Sequence, residues 1–97
     1  MDYDVLVSLL GSPVQIKIIE FFLTNEEGIY QLTEIAKILG VSHSQIHERI
    51  DHLVSYRVLH ETKTSRSRLF ELNKNHPITK QLKELYKIVR AYNLARQ

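Results

Sequence analysis

Apolar positions recur at helical spacing in five stretches of the chain, and turn-forming polar residues separate them. In residues 1–10, Val5, Leu6, Leu9 and Leu10 share one helical face, and Gly11 ends the stretch. Ser12 is placed to cap a second helix that opens on Pro13, a position where the missing N–H costs nothing. Across residues 13–24, Val14, Ile16, Ile18, Ile19, Phe22 and Leu23 make this helix apolar around much of its circumference, which predicts the central core helix. A polar turn over 25–28 follows. The short run 29–31 is then expected to pair as an edge strand with a later hairpin.

In residues 32–39, Leu32, Ile35, Ala36 and Leu39 fall on one face, and Gly40 stands at the helix C-terminus. Ser42 is the N-cap candidate for a helix reaching about residue 56, with Ile46, Ile50 and Leu53 as its inward stripe. Two helices therefore meet across a short joint. Segments 58–63 and 68–73, rich in Val, Leu, Thr and Phe, predict a hairpin around the polar loop 64–67. Pro77 opens a last helix over 77–94, in which Ile78, Leu82, Leu85, Val89 and Tyr92 recur at heptad spacing.

A helix-turn-helix needs a small residue at the helix crossing, a turn residue tolerant of positive φ, and apolar residues closing the angle. Ala36, Gly40 and the set Ile35, Leu39, Val41 and Ile46 supply these in order. The runs LLGSPVQIKIIEFFL and LTEIAKILGVSHSQIHERIDHLVSYRVLHE resemble winged-helix transcriptional regulators of the ArsR and MarR type, with an archaeal character, over about residues 9–73. The fold class expected is mainly α with a small antiparallel β wing. The resemblance implies a dimer whose second helix enters the major groove while the wing contacts phosphates or the minor groove. One departure stands out: such regulators often carry several Arg, Lys or Thr residues along the recognition helix, whereas Glu48 and Asp51 lie on this one.

With Ile46 and Ile50 inward, a 3.6-residue wheel turns Ser44, Gln45, His47, Glu48, Asp51 and His52 outward. Ser42, His43, Ser44, Gln45, His47, Glu48 and Arg49 are the candidate DNA contacts of this helix. Gln45 has the groups to read adenine bidentately, His47 can donate to guanine, Glu48 can accept from cytosine, and Arg49 suits a phosphate. In the wing, Lys63, Thr64, Ser65, Arg66, Ser67 and Arg68 form a segment without an acid, expected to hold the backbone.

Charge distribution reinforces this division. Residues 1–51 carry 3 basic and 8 acidic side chains, whereas 52–97 carry 10 basic and 3 acidic, so only the second half suits a polyanion. The 97 residues have room for one domain, 1–97. The absence of cysteine excludes disulfides, thiolate metal sites and cysteine nucleophiles. Apolar runs fall short of the roughly 20 residues needed to cross a bilayer, and no cationic leader precedes one, so a cytoplasmic, nucleoid-associated protein without a membrane role is expected. His43 and His47 have i, i+4 spacing, but two ligands make no site, and no metal or cofactor is expected. No nucleophile–base pair or glycine-rich phosphate loop points to an enzyme.

The last helix would extend some 27 Å at about 1.5 Å per residue, longer than a domain this small needs to cover its core. Its seam Ile78, Leu82, Leu85, Val89 and Tyr92, completed by Val5, Leu6 and Leu9, is expected to form a homodimer interface. A two-fold dimer reads palindromic double-stranded DNA. The reading that results is a homodimeric, sequence-specific transcriptional regulator acting as a repressor, with no effector indicated by any motif. Two alternatives remain at the level of sequence: an architectural or partition protein that coats DNA, and a winged-helix protein-interaction module using the acidic face of Glu48 and Asp51.

Overall fold

The computed structural model describes residues 3–97. Its elements are α1 (Val7–Leu10), α2 (Pro13–Leu23), β1 (Ile29–Gln31), α3 (Leu32–Leu39), α4 (His43–Ser55), β2 (Leu59–Lys63), β3 (Arg68–Leu72) and α5 (Pro77–Ala95). The three strands form one antiparallel sheet in the order β1-β3-β2, so β1 is the expected edge strand. Tyr30 and Glu61 both lie opposite Phe70 in the register, one from each side.

The core condenses around α2. Ile18 and Phe22 are fully enclosed, together with Ile35 from α3, Ile46, Ile50 and Leu53 from α4, Val58, and Phe70 from β3. Phe21, Phe22 and Tyr30 meet edge to face, which ties the edge strand to the central helix. Ser12 caps α2 by accepting from the Gln15 N–H at 3.2 Å. The buried Gln15 side chain then donates from Nε2 to the carbonyls of Ser8 (3.0 Å) and Leu9 (2.9 Å), which fixes the N-terminal segment against α2.

Two expectations need correction. The helix expected over 1–10 is the single turn Val7–Leu10, and residues 1 and 2 lie outside the described residues. Its N-cap Leu6 makes no side-chain capping bond, and Val5 and Leu6 lie exposed, so no packing extends the turn toward the N-terminus. The seam of α5 also divides. Leu82 and Leu9 are buried in the core of their own chain and Ile78 packs against it, so these three are not available as primary contacts to a second chain. Leu85, Val89 and Tyr92 extend past the core and remain exposed, as do Val5, Leu6 and Ile88.

Both helices of the central motif end in left-handed turns. Gly40 has φ 65°, and the following Val41 N–H returns to the Ala36 carbonyl at 3.1 Å. After α4 the same 6→1 closure, Val58 N–H to Leu53 C=O at 3.0 Å, requires φ 65° at Arg57, a residue with a Cβ. Left-handed backbone costs an L-residue roughly 1–2 kcal/mol, and part of its relief by glycine is offset by that residue's greater freedom when unfolded. Arg57→Gly is therefore expected to stabilise the fold by about 0.5–1 kcal/mol and raise the thermal midpoint by a few degrees. A lowered midpoint in calorimetry would show that the Arg57 side chain contributes more than its backbone strain costs.

Candidate nucleic-acid interface

Helix α4 presents one polar face to solvent because Ile46, Ile50 and Leu53 hold the opposite face in the core. Ser42 caps it: its Oγ accepts from the Gln45 N–H at 3.3 Å and donates to Gln45 Oε1 at 3.0 Å. That bond uses one of the two lone pairs of Gln45 Oε1, so the amide keeps an acceptor site and its NH2. His43, Ser44, Gln45, His47, Glu48, Asp51 and His52 are exposed. Arg49 is half-buried and stands 3.6 Å from Glu48.

The wing tip is shaped by its own hydroxyls. Thr64 Oγ1 accepts from the N–H groups of Arg66 (3.3 Å) and Ser67 (3.0 Å), lies 3.0 Å from Ser67 Oγ, and the Thr64 N–H donates to the Ser67 carbonyl at 2.8 Å. Thr64 and Ser67, expected as phosphate contacts, thus have a structural part in folding the tip. Lys63, Ser65 and Arg66 project from it exposed, and neither cation has an ion-pair partner among the described residues.

Arg68 differs from the sequence expectation. Its Nε donates to Glu61 Oε2 at 2.7 Å and its Nη2 to Glu61 Oε1 at 3.0 Å, while Nη2 also reaches Asp51 Oδ1 at 2.5 Å. The guanidinium lies 5.1 Å from the Phe70 ring centroid. It is a clamp between wing and α4 rather than a free cation at the tip. Hydrogen bonding from Arg68 holds the Glu61 carboxyl below its ordinary value, and Glu61 first, then Asp51, push the guanidinium's pKa further up. The clamp also sets a cation of the same chain against the charge of Asp51 on the exposed face of α4.

A cleft of about 260 Å³ lies where the start of α3, the first half of α4 and the wing converge. Gln31, Thr33, His43, His47, Arg66 and Arg68 line it, and no carboxylate of the described residues does. Gln31 and Thr33 were missed by sequence reasoning, because only the direct run of β1 into α3 brings them beside the wing, and no local motif encodes that. Among the described residues no group of three or more His, Cys, Asp or Glu is arranged to hold a metal ion. No helix of the described residues is long and apolar enough to cross a membrane.

No protein-family model matches the chain, and no curated protein matches it. Solved structures do. The chain is similar to the AntR antimony-specific transcriptional repressor (TM-score 0.71, 14% identity, 96% of this chain and 79% of that one). It is similar to Rv0081 of M. tuberculosis (TM-score 0.68, 17% identity, 94% and 87%). A third is the homodimeric winged helix-turn-helix DNA-binding domain of Mb0332 from Mycobacterium bovis, a possible ArsR-family regulator (TM-score 0.69, 13% identity, 95% and 81%). The fold is therefore that of winged-helix transcriptional regulators, the described residues forming five helices, the last of them C-terminal, and a three-stranded antiparallel sheet.

Proposed function

We propose that the protein is a homodimeric transcriptional regulator that binds double-stranded DNA sequence-specifically and represses by occupying its site. The observation that carries this reading is the pairing of an exposed polar α4 face with a wing tip whose cations, Lys63 and Arg66, have no ion-pair partner among the described residues. The fold shared with a repressor and with a homodimeric DNA-binding domain supports it.

In this reading α4 lies in the major groove, with Ser44, Gln45 and Glu48 facing base edges. Ser42 acts through the cap, and Arg49, Lys63, Ser65 and Arg66 face phosphates. The dimer forms through the exposed part of α5, Leu85, Val89 and Tyr92, with Val5 and Leu6 beside it. A groove of about 460 Å³ between α2 and α5, lined by Ile16, Ile19, Leu85, Tyr86 and Val89, gives this face a concave apolar centre. The protein acts at the nucleoid and is not an enzyme. The protein-interaction alternative loses ground because Asp51 and Glu48 each already face a cation of this chain.

Selection of binding sequences from a randomised duplex pool tests the proposal. Two inverted half-sites are expected, with centres about 34 Å apart along one face of the duplex. Recovery of no common sequence, with footprints that spread as protein concentration rises, would replace this reading with the DNA-coating one.

A further inference from the structure

The cleft between α3, α4 and the wing holds two imidazoles, His43 and His47, one turn apart on the same face of α4. Arg66 of the wing tip lines it with them, as does Arg68, whose charge is matched by Glu61 and Asp51 behind the wall. The acids on adjoining elements lie outside the cleft lining: Glu48 stands beside Arg49, and Glu34 of α3 accepts from the Gln31 N–H at 2.9 Å. Lys37, in the last turn of α3, is outside it too. An anion entering there meets one cation without an ion-pair partner among the described residues, two groups able to become cations, and the Thr33 side chain.

We infer that this cleft seats a DNA phosphate, and that His43 and His47 make duplex binding proton-coupled, tighter as pH falls. The inference rests on the proposed DNA-binding role of the same surface. Its physical basis is the charge on α4 itself. With its histidines neutral, the helix carries Glu48 beside Arg49 and Asp51 beside Arg68 of the wing, so its own charges offer a phosphate no net attraction. Imidazole is the side chain that ordinarily changes charge between about pH 5 and 8. A phosphate between His43, His47 and Arg66 favours the imidazolium forms, offsets their mutual repulsion, and turns neutral contacts into charge-assisted ones. The bound state then holds more protons than the free state, so the association constant must rise as pH falls. The wing cations supply a pH-independent part of the affinity and the two histidines a pH-dependent part.

The test uses a mixed-sequence duplex, titrated by fluorescence anisotropy at constant ionic strength from about pH 8 to 6, a range centred near the imidazole transition. Wild-type affinity is expected to rise roughly tenfold or more across that range, and the salt dependence to steepen by about 0.9 for each imidazolium that meets a phosphate. His43→Gln with His47→Gln should flatten the pH profile, so that the ratio of wild-type to variant affinity grows steadily as pH falls. His52→Gln, on the same helix outside the cleft, should keep the wild-type profile, and Arg66→Ala should weaken binding at every pH while retaining the slope. A flat wild-type profile, or a slope that survives in the double variant, would overturn the inference and leave DNA binding standing. Absence of binding at any pH, to mixed or selected duplexes, would overturn the proposed function itself.

Discussion

Replacing Val89 by Glu is expected to convert the protein to monomers and to weaken its binding to a two-half-site duplex by about 100-fold or more. Val89 is 47% exposed on a stretch of α5 that its own core does not cover, so the substitution leaves the interior intact. In the proposed dimer the same patch meets itself across a two-fold axis, and two carboxylates would be brought into an apolar contact together. The large effect on DNA comes from lost linkage. Once one protomer is bound, its partner meets the second half-site at an effective concentration that independent monomers cannot reach. Sedimentation should report half the wild-type mass with unchanged circular dichroism. A variant that remains dimeric would move the interface away from the end of α5, and a dimer-free wild type with equal affinity would remove the interface altogether.

Arg68→Ala is the second substitution expected to have a large effect, and its signature separates two roles. The guanidinium joins Glu61 of β2 to Asp51 of α4, so its removal frees the wing from α4 and leaves two carboxylates uncompensated beside the proposed DNA surface. Folding stability should fall by about 1–2 kcal/mol, mostly from the Glu61 bond, because the Asp51 carboxylate is more than half exposed and its pair is screened. Duplex affinity should fall roughly 10- to 100-fold, since restoring the wing angle and overcoming the exposed acids both oppose binding. The salt slope should stay near its wild-type value. A phosphate contact by Arg68 would instead lower that slope by about 1. Asp51→Asn combined with Arg68→Ala should recover part of the lost affinity, as expected of a pair acting as one unit. Because the folded Glu61 carboxyl sits below its ordinary value of 4.5, its contribution to stability is complete above that value and is lost as pH falls through the lowered one. The clamp is therefore intact throughout the neutral range in which His43 and His47 are proposed to act.

Much of this architecture is written in local signals. Ser12 before Pro13, Gly40 after Leu39 and Ser42 before His43 mark helix ends that the structure places within a residue or two of expectation. The pairing of 29–31 as an edge strand was legible because a short β-prone run had only the later hairpin to join. Other features depend on tertiary distance and leave no such mark. Seventeen residues separate Asp51 from Arg68, and nothing in the local pattern distinguishes an arginine that clamps from one that projects into solvent. The heptad spacing from Ile78 to Tyr92 was visible, but the point at which the seam leaves its own core was not, since that depends on how far α2 extends beneath α5. The N-terminal stretch shows the converse failure. Val5, Leu6 and Leu9 have helical spacing, yet only Leu9 is buried, and amphipathic spacing does not sustain a helix where Val5 and Leu6 leave its apolar face uncovered.

Contact of duplex DNA with α4 and the wing is tested most directly by following backbone amide resonances while a selected duplex is added. The expected result is large shifts in residues 42–52 and 63–67 and at Thr33, with α2 unchanged. Shifts confined to α5, or none in α4 under conditions where the duplex is bound, would contradict it.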